Sequence, residues 1–144
     1  MRAAVLGLLL VAGCKPTFKG WWDIDRWTVS RDGSEPIERT DAGVVVWQQS
    51  GTNAGWGSVY VVLRYDYDPV AFDLVPDPDP EQHEQQWSFD EWEKGMPIEL
   101  TWPEGDDVQV TATFEILDFD PNAMTLEGPS PLGDGAVWSW SMIR

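Results

Sequence analysis

Cys14 and His83 are the only cysteine and the only histidine in a chain of 144 residues. A Cys/His zinc site, a disulfide framework and a Cys–His nucleophile pair each need more sulfur or imidazole than that. His83 stands in Pro-Glu-Gln-His-Glu-Gln, a polar stretch in which an imidazole is expected to be solvated. Carboxylates are abundant, 25 Asp and Glu against 9 Lys and Arg, for a net charge of −16. Glycosidase-type pairs can be drawn among them in many ways, and no spacing selects one. Asp118, Asp120 and Asn122 imitate the start of a calcium loop. The sixth position is Ala123 instead of Gly, though, and no Glu stands at the twelfth, so the stretch reads as a hairpin turn. In Asp77-Pro78-Asp79-Pro80-Glu81 the prolines keep an acidic loop extended. No catalytic residue, cofactor or metal site is therefore expected. Cations are too few to neutralise a phosphate backbone, which excludes nucleic acid as a partner. What remains is aromatic: ten Trp, five Phe and three Tyr, rings that fill cores, wall apolar pockets or stack on partners.

The thiol has a different chemistry to offer. Met1-Arg2 and the apolar run Ala3 to Ala12 lead into Val11-Ala12-Gly13-Cys14. Ten helical residues rise about 15 Å, half a hydrocarbon core, so the run suits a signal h-region and not a span. An aliphatic residue, two small residues and Cys resemble the bacterial lipobox. That resemblance implies cleavage between Gly13 and Cys14, with a diacylglyceryl thioether on the Cys14 sulfur. The implied partner is a lipid bilayer, held through the acylated Cys14. Lys15 in the next position resembles lipoproteins sorted to the outer membrane of Gram-negative cells. The division is then 1–13 signal peptide, 14–20 lipidated tether and 21–144 folded domain. The tether, fully extended, reaches about 20 Å, so the domain sits close to the bilayer.

The elements that position the rings follow a period of two. Val108, Val110, Ala112, Phe114 and Ile116 alternate with polar residues, as do Val59, Val61, Leu63, Tyr65 and Tyr67. Ile98, Leu100 and Trp102 form a third run, and Trp138, Trp140 and Met142 a fourth. Pro103 to Asp106, Asp118 to Asn122 and Gly133 to Gly135 supply turns between runs. Eight or nine short strands in sequence predict an all-β fold, a small up-and-down antiparallel β-barrel of about eight strands, with a β-sandwich as the alternative. Pro69 to Gln86 reads as a long acidic loop. Ser88 to Gly95 fits a short helix capped by Ser88 and Glu91, or a hairpin with Trp87 and Phe89 on one strand; the hairpin is preferred.

Gly20-Trp21-Trp22 at the start of the first strand resembles the first-strand motif of the lipocalin superfamily, with Trp22 as the matching Trp. Trp87-Ser88-Phe89, Pro97 to Leu100, Val108 to Leu117, Met124-Thr125-Leu126 and a final basic residue follow in an order that looks like short bacterial lipocalin-like lipoproteins. The resemblance implies a barrel-closing cation–π pair between Trp22 and Arg144. By parity Trp22, Tyr65, Trp87, Phe89, Trp102, Phe114, Trp138 and Trp140 point inward. Trp102, Trp138, Trp140, Phe114 and Tyr65 are the candidate walls of a pocket for a small hydrophobic ligand. Trp21, Trp27, Trp47, Trp56 and Trp92 face the other way and would offer an aromatic patch to a glycan or an envelope protein. The expected function is that of a non-enzymatic, membrane-anchored envelope lipoprotein binding a small hydrophobic ligand. The alternative is a solid-core structural or interaction module.

Overall fold

The computed structural model describes residues 19–49, 54–93, 97–103 and 109–144. Ten strands lie within them: β1 (Gly20–Ser30), β2 (Ile37–Gln49), β3 (Ala54–Leu63), β4 (Tyr65–Asp68), β5 (Asp73–Pro76), β6 (Gln85–Glu93), β7 (Ile98–Pro103), β8 (Gln109–Asp120), β9 (Ala123–Pro129) and β10 (Val137–Ile143). Eight of them close an antiparallel barrel in the order β1-β10-β9-β8-β7-β6-β3-β2. Each barrel strand neighbours the next one in sequence, and β1 pairs with β10 to shut the ring. The exception is the β4–β5 hairpin, which forms its own two-stranded sheet between β3 and β6. The fold is therefore the barrel and not the sandwich.

Period two places the core. Trp22, Ile24, Val45, Trp47, Val59, Val61, Trp87, Phe89, Ile98, Leu100, Phe114, Leu126, Trp138, Trp140 and Met142 are all buried, while Asp23, Gln48, Glu99, Thr113 and Glu115 between them are exposed. On the outside of β1, β2 and β3, by contrast, Trp21, Val44, Val46, Tyr60 and Val62 make the wall apolar. No helix among the described residues is long and apolar enough to cross a membrane.

The alternation breaks in β1 and β2, as it does again at Asp118 of β8, and the first two breaks overturn an expectation. In β1 the register with β2 and β10 shifts between Ile24 and Arg26, leaving Asp25 as an extra, exposed residue. That bulge moves the inward set from Trp22 and Ile24 to Trp27 and Val29, so Trp27 is fully buried and not part of an outer patch. Trp47 is corrected in the same sense, since β2 carries the matching irregularity at Asp41, where φ is 51°. Gly43 lies beside it with φ 150°, packed so closely that an added Cβ would overlap the Val62 carbonyl oxygen. Trp21 and Trp56 do face solvent, at 60% and 65% exposure. The side chain of Trp92 lies outside the described residues.

The run from Val59 to Tyr67 is not one strand. It breaks at Arg64, whose amide donates to the Ala42 carbonyl at 2.8 Å. Tyr65 therefore belongs to the side hairpin, half-buried, instead of the barrel interior. The expected long loop after Pro69 contains β5 and a short 3₁₀ turn, Pro80–His83. Ser88 to Glu93 is strand, which settles the helix alternative in favour of the hairpin; Lys94 to Met96 are outside the described residues.

Strand directions define two ends. Lys19, Arg144 and the Pro121-Asn122 turn share one end, where the Arg144 amide donates to Asn122 O at 3.0 Å. The segments 31–36, 64–84 and 130–136 gather at the other.

Candidate functional site

At the end remote from Lys19, the β4–β5 hairpin folds over the barrel mouth. Its turn forms because Asp68 Oδ1 accepts from the amides of Val70 and Ala71, at 2.9 and 3.1 Å, while Phe72 takes a φ of 50°. Three fastenings hold it down. Tyr67 donates its phenol hydrogen to Asp134 Oδ2 at 2.5 Å, reaching the loop before β10. Arg31 donates to the Pro69 carbonyl at 2.9 Å and lies 4.3 Å from the centre of the Phe72 ring. Arg39 pairs with Asp73 at 2.9 Å. From the hairpin itself, Leu74 is fully buried in the core cluster.

Burial, followed by the Asp134 bond, pushes the Tyr67 hydroxyl up to about 12, so the phenol stays a donor at neutral pH. On Asp134, burial pulls the carboxyl upward. The hydrogen bonds from Tyr67, Ser130 and Ala136 outweigh it and leave the group below the usual carboxylate range.

Between hairpin and barrel lies a pocket of about 180 Å³, walled by Trp27, Leu63, Tyr65, Tyr67, Trp138 and the Pro131-Leu132 turn, with Asp66 and Gln85 at its polar side. Trp27 and Trp138 meet edge to face at 4.9 Å, and Tyr67 stands across Trp138 at 5.7 Å. The indole N–H groups of Trp27, Trp138 and Trp140 are buried with no acceptor among the described residues. A buried donor left without an acceptor costs about 1–3 kcal/mol, so the two that line the pocket, Trp27 and Trp138, mark a place where an oxygen atom would be welcome.

Deeper in the barrel the rings touch one another in series. Trp138 stacks on Trp140 at 6.2 Å, Trp140 on Trp87 at 5.4 Å, and Trp87 on Phe114 at 6.4 Å. Phe114 in turn lies over Gly128, where any Cβ would collide with its ring. These rings fill the middle of the barrel among the described residues.

Of the expected pocket walls, Trp138 and Tyr65 meet at the mouth, whereas Trp140 and Phe114 sit in the stack below. Trp102 occupies β7 opposite Val110, and its side chain lies outside the described residues. Trp22 and Arg144 meet at the opposite end. The Arg144 Cζ lies 4.1 Å from the Trp22 ring centre, and its guanidinium donates to Lys19 O at 2.6 Å and to Pro121 O at 2.7 Å. Gly13 and Cys14 are outside the described residues. Sequence reasoning missed Trp27, Tyr67 and Asp134 as mouth residues. A Tyr and an Asp 67 positions apart carry no local signal of their contact. Among the described residues no three His, Cys, Asp or Glu gather closely enough to hold a metal ion.

His83 is solvent-facing, but its Nδ1 lies 2.7 Å from Asp77 Oδ2, and the Asp77 side chain is buried. The Asp77 hydrogen bond raises the imidazole above its ordinary 6.5, and the Asp79 amide, then His83, lowers the Asp77 carboxyl below 3.8.

A scan of protein-family models and a search of curated proteins find no match to this chain. Among solved structures it is similar to a redesigned β-barrel, at 13% identity and a TM-score of 0.45, over 88% of this chain and 90% of that one.

Proposed function

We propose that this chain is a non-enzymatic, lipid-anchored envelope protein, in the manner of lipocalin-like lipoproteins, that binds a small hydrophobic ligand at the mouth of its barrel. The observation that carries the reading is the pocket of about 180 Å³ whose ring walls include two buried indole donors, Trp27 and Trp138, with no acceptor among the described residues. A matching ligand is apolar over most of its body and offers one carbonyl, ester or hydroxyl oxygen. Asp66 in the pocket wall and the charge of −16 favour an uncharged oxygen over a carboxylate. The ligand lies under the hairpin and not along the barrel axis, because Trp140, Trp87 and Phe114 occupy the axis. Acylation of Cys14 would place the Lys19 end toward the bilayer, so that the mouth opens away from it into the envelope space.

The test is a titration with hexanoic acid and its methyl ester, small enough for the pocket, followed by indole fluorescence. Saturable one-to-one uptake, with the ester binding more tightly than the acid, supports the reading. Trp138→Phe keeps a ring but removes a donor and should weaken the ester by roughly tenfold, the worth of one hydrogen bond. Absence of saturable uptake of either probe contradicts it.

A further inference from the structure

We propose that the outer wall of β1, β2 and β3 is a docking groove for a cationic, apolar peptide segment of a partner protein, a site separate from the mouth and independent of its ligand. The groove has a volume of about 470 Å³. That lies within the range of ligand-binding clefts. Its floor comes from cross-strand neighbours. Trp21 pairs with Val46 and Val46 with Tyr60, and in the next row Val44 pairs with Val62. The Trp21 ring is fixed, since its Nε1–H donates to Asp23 Oδ1 at 3.2 Å, yet it is 60% exposed. One long side of the floor is overhung by the 3₁₀ turn, which presents Asp79, Glu81 and Glu84 to the groove.

The charge decides the occupant. Among the described residues three carboxylates look onto this floor, and the one cation lining it, Arg64, is already paired with Asp41. Two aromatic rings, Trp21 and Tyr60, and three carboxylates suit ammonium or guanidinium groups carried on apolar stems. A closed barrel offers no free strand edge here, so recognition runs through side chains and not through an added strand. A lipid surface fits poorly. The groove starts at Trp21, near the Lys19 end, and the carboxylates of the 3₁₀ turn along its side repel anionic headgroups. A second copy of this chain brings another −16 to an acidic face.

The experiment captures the full chain in non-ionic detergent on a sensor surface and injects two capped pentapeptides, Lys-Leu-Lys-Leu-Lys and Glu-Leu-Glu-Leu-Glu. The basic peptide should bind saturably and the acidic one should not. Two variants, Trp21→Ala and the triple Asp79→Asn, Glu81→Gln, Glu84→Gln, should each weaken binding by roughly tenfold. A control triple of equal charge on exposed residues of β6, β7 and β8, Asp90→Asn, Glu99→Gln, Glu115→Gln, should cost less than about threefold, as a general field effect would. Equal losses from the two triples would reduce the attraction to the whole-molecule field and overturn the site. So would displacement of the basic peptide by a neutral chito-oligosaccharide, because that would make the groove's occupant something other than a peptide. Mouth-ligand uptake should be unchanged in Trp21→Ala, which keeps the two sites distinguishable.

Discussion

Tyr67 and Asp134 fasten the hairpin through one short bond, so Tyr67→Phe removes a single hydrogen bond without opening a cavity. It should cost about 1 kcal/mol in urea unfolding and speed release of the mouth ligand. A release rate equal to that of the parent chain would mean that the hairpin is not what retains the ligand. The raised hydroxyl also fixes a sign. A group whose folded value lies above its unfolded 10.0 contributes fully below pH 10 and loses its contribution as pH climbs through about 12. The Asp77–His83 pair brackets the acid and neutral range. Its His83 contribution is complete below 6.5 and fades as pH rises through the raised folded value. Its Asp77 contribution is complete above 3.8 and fades as pH falls through the lowered one. Amide protection in the 3₁₀ turn, corrected for intrinsic exchange, should therefore peak between those limits. The alkaline decline should vanish in His83→Gln, and a protection profile that is flat with pH in the parent chain would contradict this.

Strands carry the next set of consequences. Gly43→Ala would push a Cβ into the Val62 carbonyl and should destabilise by about 2–3 kcal/mol, with little change at an exposed control such as Thr113→Ala. Retained stability in Gly43→Ala would show that β2 and β3 do not approach each other as described. The sequence displayed the alternation in β6, β9 and β10, and in β8 as far as Ile116, beyond which the positive φ at Asp118 turns Phe119 toward the core. It hid the parity of β1 and β2, because one extra residue at Asp25 and a positive φ at Asp41 reverse which side chains turn inward. The same alternation runs on through Leu63, Tyr65 and Tyr67, so pattern alone could not reveal that the chain leaves the barrel at Arg64. The Trp22–Arg144 contact was legible only through the resemblance carried by Gly20-Trp21-Trp22. The mouth and the outer groove were not legible at all. One depends on Tyr67 meeting Asp134, and the other on Pro80–His83 lying against β3.

For the molecule as a whole, closure of the ring and attachment of its end belong together. Arg144 ties the last strand to Lys19 O and to Pro121 O, while its guanidinium covers Trp22. Arg144→Ala should open that seal and cost about 1–3 kcal/mol, and Arg144→Lys should recover only part because a lysine cannot reach both carbonyls with a planar fork. Cys14→Ala in the full chain should shift the protein from the membrane to the soluble fraction, and continued membrane association would remove the anchor from the account. The central claim, however, concerns the mouth, where buried indole donors await an oxygen. Its most direct measurement follows the indole N–H resonances of ¹⁵N-labelled protein while the fatty-acid methyl ester is added. The account predicts saturable downfield movement of the Trp27 and Trp138 indole protons, with Trp22 and Trp21 unmoved. Unchanged Trp27 and Trp138 resonances at an ester concentration that saturates the protein would contradict it.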